Sequence, residues 1–254
     1  MITAGIDIGA KTIKVVLVDD GKMLGKGLVL AGIDTVAATQ TAFDEALGAA
    51  GVGKEKIRRI MATGTGRKDC ALTDQEITEV GAAAKGAVHV VKSCRTVIDV
   101  GAEEGRTVRC NENGKVIDFA FNEKCAAGAG TFAEGMARAL QVSLEELGPL
   151  SLKSNEAVQM NAQCAVFAES EVVTLIHAKT PREDIARAVL DAVASRIISM
   201  VRKVGFEKDV ILIGGMSLNP GFVEAMKRGL EMDVCIPEDP EYIGALGAAL
   251  AAAE

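Results

Sequence analysis

The chain has 254 residues, a formal net charge of −7, and 49% hydrophobic and 25% charged residues. These proportions are typical of a globular protein with room for one large or two small domains, and they exclude a disordered chain. The acidic balance argues against a nucleic-acid partner, because phosphate binding needs a basic face. Apolar runs are too short to cross a bilayer and the N-terminus lacks signal-peptide features, so we expect a cytoplasmic protein without a membrane anchor.

Hydrophobic periodicity predicts an alternation of strands and helices along the whole chain. The predicted elements are strands at 4–8, 12–19 and 23–31, a helix at 34–50, a strand at 57–62, a helix at 76–91, a strand at 96–101, helices at 129–141, 143–152, 165–179 and 182–204, a strand at 210–213, a helix at 220–230, a short strand before Pro237, and a last helix from about Tyr242. Strands alternating with helices indicate the α/β class.

The opening pattern of the chain occurs twice. Thr96–Gly101 repeats Ala4–Gly9, and Asp99 follows Asp7 by 92 residues. Each segment is followed by a hairpin turn, at residues 19–22 and 111–115. Such an internal repeat predicts two domains with related cores that face one another. We expect the first domain to comprise residues 1–92 with the C-terminal helix 242–254, and the second to comprise residues 93–241.

An aspartate at a strand end, followed by a glycine turn, has chemistry suited to a nucleotide. The glycine lets backbone N–H groups approach phosphate oxygens, and the carboxylate can hold Mg²⁺. A single such turn would be read as an ordinary β-turn, whereas two in a matched repeat predict a clamp on a triphosphate. The predicted nucleotide-contacting residues are Gly9, Ala10, Lys11, Thr12, Lys14, Gly101 and Ala102. The predicted catalytic residues are Asp7, Asp99, Glu103 and Glu104, with Asp7 and Asp99 as the magnesium ligands.

A third glycine motif follows a strand in the second half of the chain. Gly214 and Gly215 come directly after the apolar run 210–213. Without side chains, their backbone could support the purine and ribose of ATP, although a strand–helix turn that needs glycine for packing is the alternative.

These three motifs together resemble the phosphate and adenosine motifs of the actin/Hsp70/sugar-kinase superfamily. Two further stretches, residues 122–132 around Cys125 and residues 161–171 around Cys164, resemble one branch of it. That branch is the BadF/BadG/BcrA/BcrD-type ATPase family, which holds activators of 2-hydroxyacyl-CoA dehydratases and ATPase subunits of benzoyl-CoA reductase. The resemblance covers essentially the whole chain. It implies an actin/Hsp70-like fold of two ribonuclease-H-like domains, with ATP or ADP and Mg²⁺ in the cleft between them.

Cys125 and Cys164 each precede a predicted helix, whose positive N-terminus stabilises thiolates and anionic clusters. A [4Fe–4S] cluster needs four thiolates, so two cysteines from each of two subunits would hold one cluster at a dimer interface. The family resemblance implies the same arrangement. Buried core cysteines and a Cys₄ zinc site are the alternatives. Cys70, Cys94, Cys110 and Cys235 have no such context and are expected to be packing residues.

The resemblance implies an ATPase coupled to electron transfer. Ferredoxin or flavodoxin would reduce the cluster, and ATP hydrolysis would drive low-potential electron delivery to an acyl-CoA reductase or dehydratase component. Dehydratase activators carry Gly-Gly-Gln-Asp where this chain has Gly101-Ala102-Glu103-Glu104. On that ground the first reading is an ATPase subunit of benzoyl-CoA reductase, paired with a related subunit as a heterodimer. The alternative is a homodimeric activator of a 2-hydroxyacyl-CoA dehydratase.

Two other classes of protein share the fold that this resemblance implies. A sugar kinase would need a sugar pocket, and it would leave the cysteine motifs unexplained. A nucleotide-gated assembly module would form filaments without a cluster.

Overall fold

The computed structural model describes residues 1–73, 75–122, 130–160 and 165–254. In chain order the strands are β1 (Ile2–Ile8), β2 (Thr12–Asp19), β3 (Lys22–Leu30), β4 (Arg59–Thr63), β5 (Thr96–Val100), β6 (Gly105–Cys110), β7 (Val116–Phe121) and β8 (Val210–Ile213). The α-helices are α1 (Thr35–Ala50), α2 (Glu79–Val90), α3 (Gly130–Ala139), α4 (Leu144–Ser151), α5 (Ala165–His177), α6 (Arg182–Val204), α7 (Pro220–Leu230) and α8 (Ile243–Ala252).

The described chain divides into two compact units. The first contains residues 1–97, 108–118 and 237–254, and the second contains residues 98–107 and 119–236. The domain limits expected at residues 92 and 241 stay a prediction.

The sheet of the first unit has the strand order β3-β2-β1-β4. Strands β1 and β2 pair antiparallel, whereas β4 lies parallel to β1. The apolar β-branched run of β2 suits a strand buried on both faces, and residues 15–18 are almost fully buried. Phe43 of α1 fills the centre of this core among alanine, valine and isoleucine side chains. The parallel pairing brings the carboxyl ends of β1 and β4 to the same edge of the sheet.

The second sheet has the corresponding strand order, β7-β6-β5-β8. Its core is built by the apolar faces of α3, α4, α6 and α7 together with β5 and β8, around Phe132 and Phe222. The long helix α6 contributes a stripe of buried residues that recur every three or four positions, as an amphipathic helix requires. The repeated sequence pattern therefore folds into two sheets with the same strand order.

Strands β6 and β7 were not among the predicted elements, and two predicted elements differ from the structure. Helix α2 begins at Glu79 rather than 76, because the Thr78 hydroxyl accepts a hydrogen bond from the Gly81 amide and caps the helix there. The strand expected before Pro237 is reduced to an isolated bridge between Ile211 and Cys235. Cys235 is exposed there, so the expectation that it is a packing residue was wrong, while the other three described cysteines are buried. Among the described helices, none is long and apolar enough to span a membrane.

Candidate functional site

The first hairpin turn lies at residues 9–11, between β1 and β2. The Gly9 amide donates to the carbonyl oxygen of Thr12 at 3.1 Å. A Cβ on Gly9 would lie only 2.9 Å from that oxygen, so the tight turn requires glycine. Ala10 and Lys11 at its tip are exposed. The turn therefore presents backbone and one cationic side chain to solvent.

Asp7 lies next to the last residue of β1, and Lys14 is its cross-strand partner on β2. The Lys14 Nζ lies 3.4 Å from the Asp7 Oδ2, and both side chains are mostly buried. Lys14, predicted to contact phosphate from the turn, is thus a strand residue that neutralises the carboxylate. This partly buried ion pair orients the Asp7 carboxylate.

The second hairpin repeats this arrangement with different side chains. The Gly101 amide donates to the Glu104 carbonyl oxygen at 2.9 Å. Arg106 follows Asp99 by seven positions, as Lys14 follows Asp7. Its guanidinium donates to the Asp99 Oδ2 at 3.2 Å and to the Glu104 Oε2 at 2.6 Å. Glu103 is exposed.

A left-handed glycine lies against each aspartate. Gly64 follows β4 with φ +90°, and Gly214 follows β8 with φ +85°. A Cβ on Gly64 would lie 2.5 Å from the Asp7 Oδ1, and one on Gly214 would lie 2.6 Å from the Asp99 Oδ1. Each aspartate therefore has a cation on one carboxylate oxygen and bare backbone at the other. Gly214 was predicted from its motif, whereas Gly64 was missed.

The signals that would have found Gly64 and Arg106 are present in the sequence. Residues 63–66 read Thr-Gly-Thr-Gly at a strand end, as residues 213–215 read Ile-Gly-Gly. The cation seven positions after each aspartate is part of the same repeat.

The Gly214-Gly215 turn is open on one side. A Cβ on Gly215 would meet nothing within 4 Å, and Gly215 is exposed. The Ser217 hydroxyl donates to the Gly214 carbonyl oxygen at 2.6 Å, which fixes the turn after β8. Exposed backbone in a fixed turn is suited to contact with a flat ligand such as a purine.

Helix α3 begins against the second hairpin. The Gly130 amide donates to the Gly101 carbonyl oxygen at 2.9 Å, and the Thr131 amide donates to that of Ala102 at 2.8 Å. The first amides of a helix have no partner within the helix, and here the hairpin supplies acceptors for two of them.

Cys125 and Cys164 lie outside the described residues, so the predicted cluster ligands have no described geometry. Helix α5 begins at Ala165, the residue after Cys164. Thiolates are the donors that iron–sulfur clusters use, so the residue types fit a cluster. Within the described ranges no group of three or more His, Cys, Asp or Glu side chains could hold a metal ion. Mg²⁺ needs only one or two carboxylates when phosphates and water supply the rest, and each of Asp7 and Asp99 has the donor chemistry for that role.

The sequence profile of the BadF/BadG/BcrA/BcrD ATPase family matches residues 4–252. This chain belongs to that family. The ATPase is 37% identical to the activator of lactoyl-CoA dehydratase from Anaerotignum propionicum, over 100% of this chain and 98% of the relative. A crystal structure of the Acidaminococcus fermentans (R)-2-hydroxyglutaryl-CoA dehydratase component A matches it with a TM-score of 0.95 at 35% identity, covering 99% of this chain and 97% of that one.

More distant structures share only the fold. A ROK family glucokinase from Streptomyces griseus matches with a TM-score of 0.61 at 14% identity, covering 100% of this chain and 99% of that one. The predicted actin/Hsp70-like α/β class is thereby confirmed.

The comparisons reverse the order of the two readings made from the sequence. A benzoyl-CoA reductase component from Thauera aromatica is 30% identical to this ATPase, over 98% of this chain and 92% of the relative. The dehydratase activators are more similar over the same span. The difference from Gly-Gly-Gln-Asp at residues 102–104 involves a few residues in one loop. Similarity along the whole chain is the stronger evidence.

Proposed function

We propose that this ATPase activates a 2-hydroxyacyl-CoA dehydratase, delivering an electron whose transfer is driven by ATP. The duplicated aspartate site carries the proposal. Two sheets each present an oriented carboxylate, a glycine turn and bare left-handed backbone, and this set of groups suits a magnesium-bound triphosphate. The similarity to dehydratase activators supports the choice of partner.

The residues of the two hairpins would have different roles in binding and hydrolysing ATP. The Gly9 and Gly101 amides donate within their own turns, so the amides that follow them would bind phosphate oxygens, with Ala10, Lys11, Thr12 and Ala102 alongside. Asp7 and Asp99 would hold Mg²⁺, which neutralises charge on the phosphates. Glu103 and Glu104 on the second hairpin would orient water.

Cys125 and Cys164 would hold one [4Fe–4S] cluster between two subunits. The cluster would supply one-electron chemistry at low potential, with ferredoxin or flavodoxin as donor. Nucleotide binding must favour one conformation over another for the coupling to work. The contacts from Gly101 and Ala102 to the start of α3 offer a direct connection from the second hairpin toward the segment that carries Cys125.

The test is reconstitution under anaerobic conditions. The purified ATPase, ATP and a low-potential reductant are mixed either with a 2-hydroxyacyl-CoA dehydratase or with the catalytic subunits of benzoyl-CoA reductase. We expect ATP-dependent dehydration in the first mixture and no ring reduction in the second. The reverse result would restore the benzoyl-CoA reductase reading.

Cys125→Ser tests the cluster, with Cys235→Ser as the matched control at an exposed cysteine. We expect about four irons per two chains in the wild type and the control, and loss of iron and of the dimer in Cys125→Ser. A colourless monomer that still hydrolyses ATP would argue instead for a kinase of the same fold. ATP-dependent filaments without iron would argue for an assembly module.

A further inference from the structure

A polar cluster lies beside the first hairpin, within the first unit. Its centre is Arg67, which follows β4 by four residues. The Arg67 guanidinium donates to the Gly64 carbonyl oxygen at 3.0 Å. It lies 3.6 Å from the Glu79 carboxylate and 3.4 Å from the Glu76 carboxylate. One cation thus joins the left-handed glycine, the first residue of α2 and the segment just before that helix.

The cluster is connected to the aspartate site by backbone. Gly64 lies against the Asp7 carboxylate, and the Gly66 amide donates to the Ile8 carbonyl oxygen at 2.9 Å. Arg67 therefore cannot move far without moving the turn that contacts Asp7.

Two buried polar atoms of this region lack hydrogen bonds. The Thr63 hydroxyl, in a residue only 1% exposed, has no hydrogen-bond partner in the described part of the chain. The Arg67 Nε makes no hydrogen bond either, but it forms the 3.4 Å ion pair with the Glu76 carboxylate. Buried polar atoms without a protein partner mark sites for ordered water or ligand. Thr63 is the strand neighbour of Asp7, so such a water would lie beside the aspartate.

The two carboxylates on Arg67 differ in their surroundings. The side chain of Glu79 is 23% exposed and that of Glu76 is 44% exposed. Glu79 is also the first residue of α2, whereas Glu76 precedes the helix. Glu79 is therefore the more shielded of the two carboxylates.

We propose that Glu79 is the catalytic carboxylate for ATP hydrolysis and that Arg67 is its positioning residue. The inference rests on the proposed function, because it assigns the proton acceptor of the same nucleotide site, beside Glu103 and Glu104 that would orient water. In the step, a water oxygen attacks the terminal phosphorus of ATP and transfers a proton to Glu79. The bond from that phosphorus to the bridging oxygen breaks, and ADP leaves with its electron pair. Thr63 holds the water network beside Asp7.

The experiment compares Glu79→Gln with Glu76→Gln in the purified full chain. Each variant removes one carboxylate charge that pairs with the Arg67 guanidinium, and only Glu79→Gln removes the proposed proton acceptor. We expect kcat for ATP hydrolysis to fall by about 100-fold or more in Glu79→Gln, since general-base catalysis contributes that much. The Kd for a non-hydrolysable ATP analogue should stay within about threefold of wild type in both variants.

Arg67→Lys tests the positioning role by the split between kcat and KM. Lysine keeps the charge and loses the planar fork, so we expect roughly a tenfold fall in kcat with little change in KM. Melting temperatures show whether each variant is folded.

Equal falls in kcat for Glu79→Gln and Glu76→Gln would overturn the inference, because they would indicate a structural ion-pair network. Parallel losses of kcat, analogue affinity and melting temperature in Glu79→Gln would overturn it too. In either case a wild type that still activates a dehydratase leaves the proposed function intact. A wild type that binds ATP without hydrolysing it would contradict both.

Discussion

Left-handed glycines set the geometry at each aspartate of the candidate site. Gly64 and Gly214 have positive φ angles and lie so close to Asp7 and Asp99 that no side chain fits between. An L-residue at such a position pays for the backbone conformation and for the collision with a neighbouring group. Each position therefore requires glycine for two reasons, the positive φ angle and the lack of space for a Cβ atom.

Gly214→Ala tests this requirement. Gly215→Ala is the control, because a Cβ on Gly215 would meet nothing within 4 Å. We expect Gly214→Ala to lower the free energy of unfolding by about 2 to 4 kcal/mol, from the left-handed backbone and the displaced Asp99. Gly215→Ala should stay within about 1 kcal/mol of wild type in urea denaturation. Equal stability of the two variants would show that the turn can rearrange.

The sequence predicted the aspartates and hairpin glycines because their spacing is repeated, but it did not predict their partners. Lys14 was expected in the turn, and it lies instead on β2 against Asp7. Gly64 and Arg67 come from the turn after β4, which the Thr-Gly-Thr-Gly run marks in the sequence. That Gly64 lies beside Asp7 could not be predicted, because it depends on the parallel pairing of β1 with β4, which is tertiary information.

At the scale of elements, the start of α6 is held by one carboxylate. The Asp184 Oδ1 accepts from the Ser154 hydroxyl at 2.7 Å and from the amides of Asn155 and Glu156 at 3.2 Å. These hydrogen bonds hold the pKa of Asp184 below its usual value, and the one from Ser154 has the largest effect. The carboxylate thereby fixes the segment that leads from α4 toward residues 157–160.

A lowered pKa predicts a stability that depends on pH. The contribution of Asp184 is present above the pKa of the unfolded chain and is lost as pH falls through the lower folded value. We expect the urea midpoint of Asp184→Asn to lie below wild type at pH 7, and the difference to shrink toward about pH 3. A difference that is constant across this range would assign the effect to packing rather than to charge.

Helices α2 and α8 approach each other through glycine. A Cβ on Gly247 would lie 1.8 Å from the Ala82 carbonyl oxygen, and one on Gly86 would lie 2.2 Å from that of Ile243. The last helix was predicted to begin at about Tyr242, and the structure confirms it as α8. How closely it packs could not be predicted, because the contact depends on both helices.

Gly247→Ala should therefore destabilise the fold, by about 1 to 3 kcal/mol for overpacking or more if backbone must move. Gly48→Ala in α1 is the control, since Gly48 is exposed and its Cβ would meet nothing within 4 Å. Replacing glycine inside a helix should there stabilise the protein by about 0.5 to 1 kcal/mol. We expect the melting temperature to fall in Gly247→Ala and to rise in Gly48→Ala. A change of the same sign in both variants would contradict the packing explanation.

At the scale of the whole molecule, each unit has its own apolar core. Phe43 lies in one core, and Phe132 and Phe222 lie in the other. The duplication was predicted from the sequence, because apolar periodicity and turn residues are local signals. The choice of partner protein was not, because it depends on surfaces that no short motif describes.

The described cysteines offer a measure of global unfolding. Cys70, Cys94 and Cys110 are buried, and Cys235 is exposed. A hydrogen bond with Cys110, followed by burial, raises the pKa of the Cys94 thiol well above its usual value, which suppresses its reactive thiolate. We expect iodoacetamide to alkylate Cys235 in the native protein and the three buried thiols only as urea unfolds it, measured by peptide mass spectrometry. Labelling of Cys70 as fast as Cys235 in native buffer would contradict this.

The two hydrogen bonds at the start of α3 give the protein a built-in spectroscopic reporter. The amides of Gly130 and Thr131 point at carbonyls of the second hairpin rather than at solvent. Any nucleotide that shifts Gly101 or Ala102 must change the chemical shifts of these amides, and any that loosens the hairpin must speed their exchange with deuterium. These two backbone amide protons would thus report the nucleotide state in a protein that has no tryptophan for fluorescence measurements.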